Sequence, residues 1–336
     1  IAVIGAGLIG RRHIELVSQG ASLAAVIDPA PSTKDLAETH GVAWYADLAD
    51  CLAGDKPDGA VIATPNQMHV DHGLACVASG VPILVEKPIA DTSEGAVKIV
   101  EAAEAAGVPL LVGHHRRHNP LIAKAKAAIE AGRLGDLVVV NAQFWICKPD
   151  DYYGPEWRRS KGAGPVFINL IHDLDLLRHL CGEVVRVQAK ESRKTRGFEV
   201  EDTAVLLLEF ENGALGTISV SDTVPAPWSW ELTAAENPAY PHVNAHCYTI
   251  GGTSASLSIP DLKLWHYDGP RGWWEPIASE AIGSETANPL ECQMAHFVEV
   301  IRGDAKPLVS GHEGLRTLRL IEAIKRAALS GQSETP

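Results

Sequence analysis

The sequence predicts an α/β domain with a parallel sheet, followed by an α+β domain with a large, mostly antiparallel, open sheet. Up to about residue 120, short β-branched apolar runs alternate with longer helical segments, which is typical of βαβ units. Beyond about residue 136, extended segments follow one another directly, which is typical of an antiparallel sheet. A chain of 336 residues is long enough for two such domains, and we place them at 1–120 and 121–336.

The first domain contains apolar runs that we predict to be strands, at 1–4, 23–27, 60–63, 82–85 and 109–112. The segments between them have helical periodicity, at 8–19, 33–40, 69–79 and 93–106. One more amphipathic helix is predicted over 121–132, where Gly132 ends the pattern. Because strands and helices alternate, helices are expected to cover both faces of the sheet.

The second domain is predicted from longer extended segments, at 137–147, 184–194, 202–211 and 214–222, with weaker strands at 247–250, 255–259 and 262–267. Asn212-Gly213 lies between two of these segments and is the strongest short signal for a hairpin. Helical patterns cover 168–180 and the closing pair 290–302 and 311–329, which we expect to pack back on the first domain. Residues 224–246, rich in Pro, Trp and Asn, are predicted to form a loop.

The composition limits the classes of partner. With 29 basic and 42 acidic residues, the net charge of −13 disfavours nucleic acids and anionic membranes, both of which require basic surfaces. No apolar run approaches the roughly 18 residues of a membrane span. The 6 cysteines form no Cys-x-x-Cys pair, which is typical of reduced thiols. We therefore expect a cytoplasmic protein that acts on small molecules, without a nucleic-acid or membrane partner.

A glycine-rich motif follows the first predicted strand and opens the first predicted helix. Gly5, Gly7 and Gly10 have the spacing G-x-G-x-x-G. In this pattern the first glycine permits a tight turn, the second lets the backbone approach a pyrophosphate, and the third allows close packing of helix on strand. The helix N-terminus then favours the anion. We therefore predict a Rossmann domain that binds a dinucleotide, with Leu8 and Ile9 also in the binding turn.

Asp28 ends the second predicted strand and bears on the choice of cofactor. An acidic residue at this place can bind the ribose hydroxyls and repels a 2′-phosphate, which favours NAD. Lys34 and Arg11 are close enough in sequence to reach a phosphate, so NADP stays open as the alternative.

The stretch "ATPNQMH" follows the strand predicted at 60–63, at the carboxyl edge where open α/β sheets bind ligands. Thr64, Pro65, Asn66 and His69 are therefore candidate cofactor residues. The alternative is a simple helix start, with Asn66 as the N-terminal cap and His69 in the first turn.

The stretch "VEKPIA" places a lysine at the end of the strand predicted at 82–85. Lysine is rarely buried without a partner, and Pro88 disfavours a helical conformation at Lys87. An ammonium group at the carboxyl edge can stabilise an alkoxide that forms as a hydride leaves, which makes Lys87 a candidate catalytic residue. The alternative is an ion pair between Lys87 and Glu86.

The glycine motif, "TPN…H", "EKP", "GHHRRHNP" and "HDLD" occur in this order. Together they resemble the glucose–fructose oxidoreductase / inositol dehydrogenase / MocA family over essentially the whole chain. The resemblance implies that Lys87 contacts both nicotinamide and substrate, that Glu86 contributes to the cofactor site, and that the bond from Lys87 to Pro88 is often cis. It also implies a cofactor-side role for His115 and a substrate-side role for Arg117.

The stretch "INLIHDLD" places Asn169, His172 and Asp175 in a predicted helix that is otherwise largely apolar. A single histidine in such a helix is usually structural. The family resemblance instead implies an acid/base role for His172, and the ordinary pKa of imidazole suits this work. Asp175 is expected to orient the ring or to bind a substrate hydroxyl. Many family members carry aspartate four residues before the histidine, where this chain has Ile168; Asn169 is the nearest polar replacement.

Two further groups of residues were weighed as ligand sites. His114, His115 and His118 lie close together, but the run contains no cysteine or carboxylate and two arginines separate the histidines, so we predict no metal. Four tryptophans could stack on a sugar ring or simply pack, with Trp145 as the substrate candidate: Trp145, Trp157, Trp228 and Trp230.

These features together predict an NAD(P)-dependent oxidoreductase that moves a hydride between nicotinamide and a secondary alcohol of a sugar, a cyclitol or a related alicyclic hydroxy compound, with hydroxy acids included. The alternatives are an NADP-preferring reductase or dihydrodiol dehydrogenase on the same fold, and a non-catalytic regulator that senses the dinucleotide. Val, Leu and Ile occur on both faces of the strands in 202–222. A homodimer or homotetramer through the second-domain sheet is therefore expected.

Overall fold

The computed structural model describes residues 1–160, 162–283 and 287–336. They form two compact units: a first unit of residues 1–117 and 289–318, and a second unit of residues 118–288 and 319–336. We expected the second domain to cover 121–336, but residues 289–318 belong to the first unit. The physical reason is that the helix at Pro289–Arg302 packs on the helix at Leu8–Gly20 and adds Met294, Phe297 and Val300 to the core of the first unit.

The first unit is built from alternating short strands and helices. In chain order they are β1 (Ala2–Ile4), α1 (Leu8–Gly20), β2 (Ala25–Ile27), α2 (Lys34–Thr39), β3 (Ala43–Tyr45), α3 (Leu48–Ala53), β4 (Ala60–Ile62), α4 (His69–Ala78), β5 (Ile83–Val85), α5 (Ser93–Ala106) and β6 (Leu110–Val112). The sheet is parallel, with the order β3-β2-β1-β4-β5-β6. The strand β3 was not predicted, because it is a half-buried edge strand without a β-branched apolar run.

The carboxyl edge of this sheet gathers the residues that follow the central strands. Gly5, Ala63, Glu86 and Gly113 each donate a main-chain hydrogen bond to the last residue of a neighbouring strand, at 2.7–2.9 Å. The chain turns to opposite sides of β1, since β2 and β4 flank it. Open α/β sheets bind ligands at such a switch point.

The second unit begins with α6 (Pro120–Glu130) and contains the long strands of the second sheet. In chain order the next elements are β7 (Leu137–Trp145), α7 (Pro165–Ile168), α8 (Leu170–Cys181), β8 (Val184–Ser192), β9 (Thr203–Phe210), β10 (Leu215–Ser221), α9 (Trp230–Thr233), β11 (Tyr248–Gly252), β12 (Ala255–Ile259), β13 (Lys263–His266) and β14 (Ala278–Ala281). The closing helices are α10 (Pro289–Arg302), in the first unit, and α11 (Gly311–Ser330), within which the division between units falls.

The second sheet has eight strands in the order β14-β13-β12-β11-β7-β10-β9-β8. Its pairs are antiparallel except for β7 and β10, which run parallel. The hairpin predicted at Asn212-Gly213 is confirmed, since β9 pairs with β10 and Gly213 has a φ of 85°. The edge strand β14 was missed because its residues are mostly exposed and lack an apolar run.

One face of this sheet packs on helices and the other is open. Buried side chains of β7, β9, β10 and β11 form a single core with those of α6, α8 and the second half of α11. On the opposite face, Val139, Leu207 and Leu215 are 51–59% exposed. Among the described residues, no helix has both the length and the hydropathy needed to cross a membrane.

Candidate active site

The glycine turn after β1 has the geometry predicted from its spacing. Gly5 has a φ of 89°, and a Cβ there would lie 2.7 Å from the carbonyl oxygen of Ala63. A Cβ on Gly10 would lie only 1.9 Å from the carbonyl oxygen of Gly5, whereas one on Gly7 would meet nothing within 4 Å. Gly5 and Gly10 therefore allow strand, turn and helix to approach, and Gly7 leaves its outer side open.

The first turn of α1 is exposed and its N-terminus lacks a side-chain cap. Leu8 and Ile9, both expected at the cofactor, are 92% and 37% exposed. Uncapped N–H groups at a helix start favour an anion, and the exposed leucine offers apolar surface beside them.

Asp28 connects the ends of β1 and β2. One carboxylate oxygen accepts a hydrogen bond from the N–H of Ala6 at 2.7 Å, and the other accepts from the N–H of Ala30 at 2.8 Å. Each oxygen keeps a lone pair for a further donor, such as a ribose hydroxyl. The carboxylate is thus fixed beside the glycine turn, at the place that the sequence predicts.

The segment after β4 holds its ligand candidates in two different environments. Thr64 and Asn66 are half-buried and Pro65 is exposed. The side chain of Asn66 caps no helix, because Pro65 takes the position before the short 3₁₀ helix Asn66–Met68. The capping alternative is therefore wrong for Asn66, which is compatible with the ligand role.

His69 lies inside the first unit, with 1% of its surface exposed. Its ring nitrogens lie 2.8 Å from the carbonyl oxygen of Thr64 and 2.9 Å from that of Pro88. Burial lowers the pKa of His69, and the two carbonyl groups oppose this shift. A neutral imidazole has one N–H, so the ring donates to one of these carbonyl groups and lies between the loops that follow β4 and β5. Its burial supports a positioning role, and the expected cofactor contact stays a prediction.

Glu86 is a buried carboxylate at the end of β5, 6% exposed. One oxygen lies 2.7 Å from Nε2 of His13, a fully buried residue of α1, and the other accepts from the N–H of Lys87 at 3.1 Å. Burial alone would raise the pKa of Glu86, but the hydrogen bond and charge of His13, with Lys87 and His115, lower it to about 2. Glu86 is therefore an ionised anchor, and His13 is a partner that the sequence did not reveal.

Lys87 directly follows Glu86 and is half-buried. Its peptide bond to Pro88 is cis, as the family resemblance implies. His115 is also half-buried and close enough to Glu86 to influence its charge. Arg117 instead is 3% exposed and donates to Glu313 at 2.8 Å. This ion pair gives Arg117 a structural partner, and the expected substrate-side role of Arg117 stays a prediction.

In the second unit, the helix predicted at 168–180 begins at Leu170, and Ile168 ends a short helix before it. Asn169 stands between α7 and α8 with its carbonyl oxygen accepting from the N–H of His172 at 3.2 Å. His172 is 7% exposed, and Asp175 on the same helix is 1% exposed. Of the two roles open to Asp175, burial favours orienting a neighbour over binding a substrate hydroxyl.

Lys148, which sequence reasoning did not single out, contacts Asn169 directly. Its ammonium nitrogen donates to Oδ1 of Asn169 at 2.8 Å and lies 3.6 Å from Asp222. Asp222 is buried and also accepts from the hydroxyl of Tyr153 and from Nε of Arg196. A signal was present, since Lys148-Pro149 repeats the strand–lysine–proline order of Lys87-Pro88.

The tryptophans divide into packing and accessible residues. Trp230 is 1% exposed and stacks on Tyr248, so it belongs to the core. Trp145, half-buried at the end of β7, donates from Nε1 to Ser219 at 2.9 Å and meets Trp228 edge-on. Trp157 is 57% exposed. Trp145 and Trp157 thus keep surface that a ring can stack on. Across the described residues, no group of His, Cys, Asp and Glu could hold a metal ion.

Comparison with known proteins decides the family. Residues 1–114 match the oxidoreductase family with an NAD-binding Rossmann fold, and residues 122–258 match the GFO/IDH/MocA C-terminal domain. The chain belongs to the GFO/IDH/MocA oxidoreductase family. It is similar to the rhizopine catabolism protein MocA of Rhizobium meliloti, with 28% identity over 96% of this chain and 93% of the relative.

Two other relatives of this GFO/IDH/MocA protein extend the comparison. The scyllo-inositol 2-dehydrogenase (NAD(+)) of Bacillus subtilis is 28% identical over 92% of this chain and 88% of its own. The crystal structure of the WlbA dehydrogenase from Bordetella pertussis, in complex with NADH and UDP-GlcNAcA, has a TM-score of 0.79. It is 27% identical and covers 100% of this chain and 98% of that chain.

The residues of the first unit fit NAD. A pyrophosphate requires the open space at Gly7 and the uncapped N-terminus of α1. A ribose diol requires a fixed acceptor, which is the carboxylate of Asp28, held by the N–H groups of Ala6 and Ala30. This GFO/IDH/MocA protein is therefore an NAD-binding oxidoreductase.

Replacing Gly7 and Gly10 separately by alanine should separate cofactor binding from folding. Gly7→Ala fills space that the backbone leaves open, so we expect normal stability and weaker NADH binding. Gly10→Ala forces a methyl group onto the main chain of Gly5 and should cost about 1–3 kcal/mol of unfolding free energy or more. Urea unfolding and NADH fluorescence titration measure the two effects. Equal losses of stability in both variants would contradict this division.

Acid should destabilise the protein partly through Glu86. Its pKa is about 2 in the folded protein, below the ordinary value of 4.5, so its contribution is present above pH 4.5 and disappears as the pH falls towards 2. The contribution is on the order of 3 kcal/mol. Urea unfolding at a series of pH values should therefore show a smaller loss for Glu86→Gln than for the unmodified protein between pH 5 and 3. Parallel curves would show that Glu86 is not the group responsible.

Proposed function

We propose that this protein moves a hydride between NAD and a secondary alcohol of a sugar, a cyclitol or a related alicyclic hydroxy compound. The observation that carries the proposal is the edge of the first sheet. There the glycine turn and Asp28 supply an NAD cradle, and the ionised Glu86 fixes the main chain that presents Lys87. The relatives named as inositol and sugar dehydrogenases support the same substrate class.

In this proposal NAD supplies the hydride acceptor when it is bound, and the protein handles the proton. The ammonium group of Lys87 donates to the carbinol oxygen and stabilises its developing negative charge. His172 accepts the hydroxyl proton, as an imidazole can near neutral pH. Asn169 holds the substrate, Trp145 offers a face for its ring, and Asp175 orients the groups of α8.

The alternatives are less well supported. An NADP-preferring reductase or dihydrodiol dehydrogenase would have to accept a 2′-phosphate near the carboxylate of Asp28, which is held on the N–H groups of Ala6 and Ala30. A regulator that only senses the dinucleotide does not need Lys87 and His172. Reduced thiols agree with the cytoplasmic location that we propose, since the 6 cysteines form no disulfide in the described part of the chain.

We also propose that the protein is a homodimer or homotetramer through the open face of the second sheet. Val139, Leu207 and Leu215 are 51–59% exposed there, alongside Val205 at 51%. Four such side chains on neighbouring strands form an apolar surface that monomeric proteins rarely expose.

The enzymatic proposal is tested with a panel of polyols, sugars and hydroxy acids, with NAD and NADP, followed by absorbance of the reduced cofactor. Lys87→Met should lower kcat about 10²–10³-fold with a smaller effect on KM, because the lost interaction is strongest in the transition state. His172→Ala should lower activity by a factor that shrinks as the pH rises and that added base partly restores. A folded Lys87→Met protein with near-normal kcat would leave Lys87 a structural role only.

The oligomer is tested by light scattering at micromolar concentration. The unmodified protein should give a multiple of 35.9 kDa, and the double variant Leu207→Lys with Leu215→Lys should shift towards the monomer, because charged groups cannot stay buried unpaired. Leu308→Lys changes an exposed leucine of the first unit and serves as the control. A monomer before any substitution would be the contrary result.

A further inference from the structure

Lys148 is held rigidly where the chain leaves β7. Its N–H donates to the carbonyl oxygen of Asp222 at 2.9 Å. Its own carbonyl oxygen accepts from Nη2 of Arg196 at 2.8 Å. With the main chain fixed on both sides, the direction of the lysine side chain is set by the fold rather than by solvent. A long, entropically costly side chain gains most from such preorganisation.

The ammonium group of Lys148 has donors to spare. It carries three N–H bonds, and its hydrogen-bond partner among the described residues is Oδ1 of Asn169, at 2.8 Å. The nearest carboxylate oxygen of Asp222 is 3.6 Å away, and the ring of Tyr152 lies 4.9 Å below the charge. The side chain is 11% exposed.

The charge of Lys148 is largely removed from solvent. Burial lowers its pKa, and the negative charges of Asp222 and Glu231 oppose the shift without cancelling it. Asp222 does not interact with Lys148 alone, because it also accepts hydrogen bonds from the hydroxyl of Tyr153 and from Arg196. An additional anion next to Lys148 would relieve the remaining cost of desolvation.

Lys148 also decides which way the amide of Asn169 points. A lysine can only donate, so it must face the oxygen of the amide and not its nitrogen. The NH₂ group of Asn169 is therefore directed elsewhere as a second donor, one turn before His172. The neighbouring Ile168 supplies no acceptor side chain. The ammonium group of Lys148 and the NH₂ group of Asn169 are thus two neighbouring hydrogen-bond donors. A substrate that binds them needs a hydrogen-bond acceptor.

We propose that Lys148 and the amide of Asn169 bind a carboxylate of the substrate, which makes the substrate a sugar acid or a carboxylated cyclitol rather than a neutral polyol. The inference rests on the proposed function, because it assigns the substrate class of the same site. Lys148 binds and positions the substrate and takes no part in the proton or hydride steps.

The test compares hexuronates with the hexoses of the same configuration, using the NAD-dependent reaction and calorimetric binding to the NADH complex. The unmodified protein should prefer the acids in kcat/KM, and Lys148→Met should lower the acid-to-neutral ratio about 10–100-fold, mainly through KM, as expected for one charged hydrogen-bonded contact. Lys194→Met removes an exposed lysine of the second unit and should keep the ratio. Ile168→Asp places a carboxylate beside Asn169 while Lys148 stays, and it should also lower the ratio.

The outcomes separate this inference from the proposed function. A preference for neutral sugars, or a ratio that survives both Lys148→Met and Ile168→Asp, overturns the carboxylate site and leaves the dehydrogenase in place. Lys148-dependent binding of acids without turnover of any compound supports the site and overturns the proposed reaction. If Lys148→Met does not fold, Ile168→Asp decides the question, since it leaves the lysine and its partners intact.

Discussion

The hydrogen bond between Glu86 and His13 is the contact on which the ligand edge of the first unit depends. A carboxylate that is 6% exposed is tolerated only when its lone pairs are used, and here both oxygens are engaged within the first unit. Gly113 is part of the same constraint, because a Cβ there would lie 3.0 Å from Glu86. The helix that begins at the glycine turn is thereby connected to the segment that presents Lys87. The glycine turn and the segment that carries Lys87 are held by one buried carboxylate.

The second unit uses a buried carboxylate in a comparable way. Asp222 is 2% exposed and accepts hydrogen bonds from Tyr153 and Arg196. Tyr153 lies in the segment after β7 and Arg196 in the segment after β8, so the carboxylate connects these two segments. Arg196 adds hydrogen bonds to the carbonyl oxygens of Lys148 and Asp222, at 2.8 and 2.9 Å. An arginine is suited to this task because its guanidinium group has several donors in a fixed plane. The loop after β7 is therefore fixed by side-chain hydrogen bonds to its main chain, where a strand would be fixed by its neighbours in the sheet.

Much of the fold and of the cofactor site follows from local patterns. The spacing of Gly5, Gly7 and Gly10 predicts where the backbone has no room for a side chain and where it leaves space for a ligand. The structure agrees, since a Cβ would clash at Gly5 and Gly10 and would meet nothing at Gly7. Asp28 and Glu86 were placed correctly because the carboxyl ends of parallel strands share one edge. The contacts that sequence reasoning did not anticipate join residues far apart in the chain. His13 meets Glu86, 73 positions later, and Arg117 meets Glu313, 196 positions later. Periodicity and spacing carry no information about such pairs.

The recurrence of strand, lysine and proline gives the two lysines a common physical explanation. A lysine that forms an exclusive ion pair with its neighbouring carboxylate is neutralised and has little left for a substrate. Here each carboxylate is shared: Glu86 bonds His13 and the N–H of Lys87, while Asp222 bonds Tyr153 and Arg196. Each carboxylate therefore divides its hydrogen bonds among several groups. Proline after each lysine disfavours a helical conformation at the lysine. The same arrangement can therefore serve two purposes, stabilising charge that develops at a reacting oxygen and attracting charge that the substrate already carries.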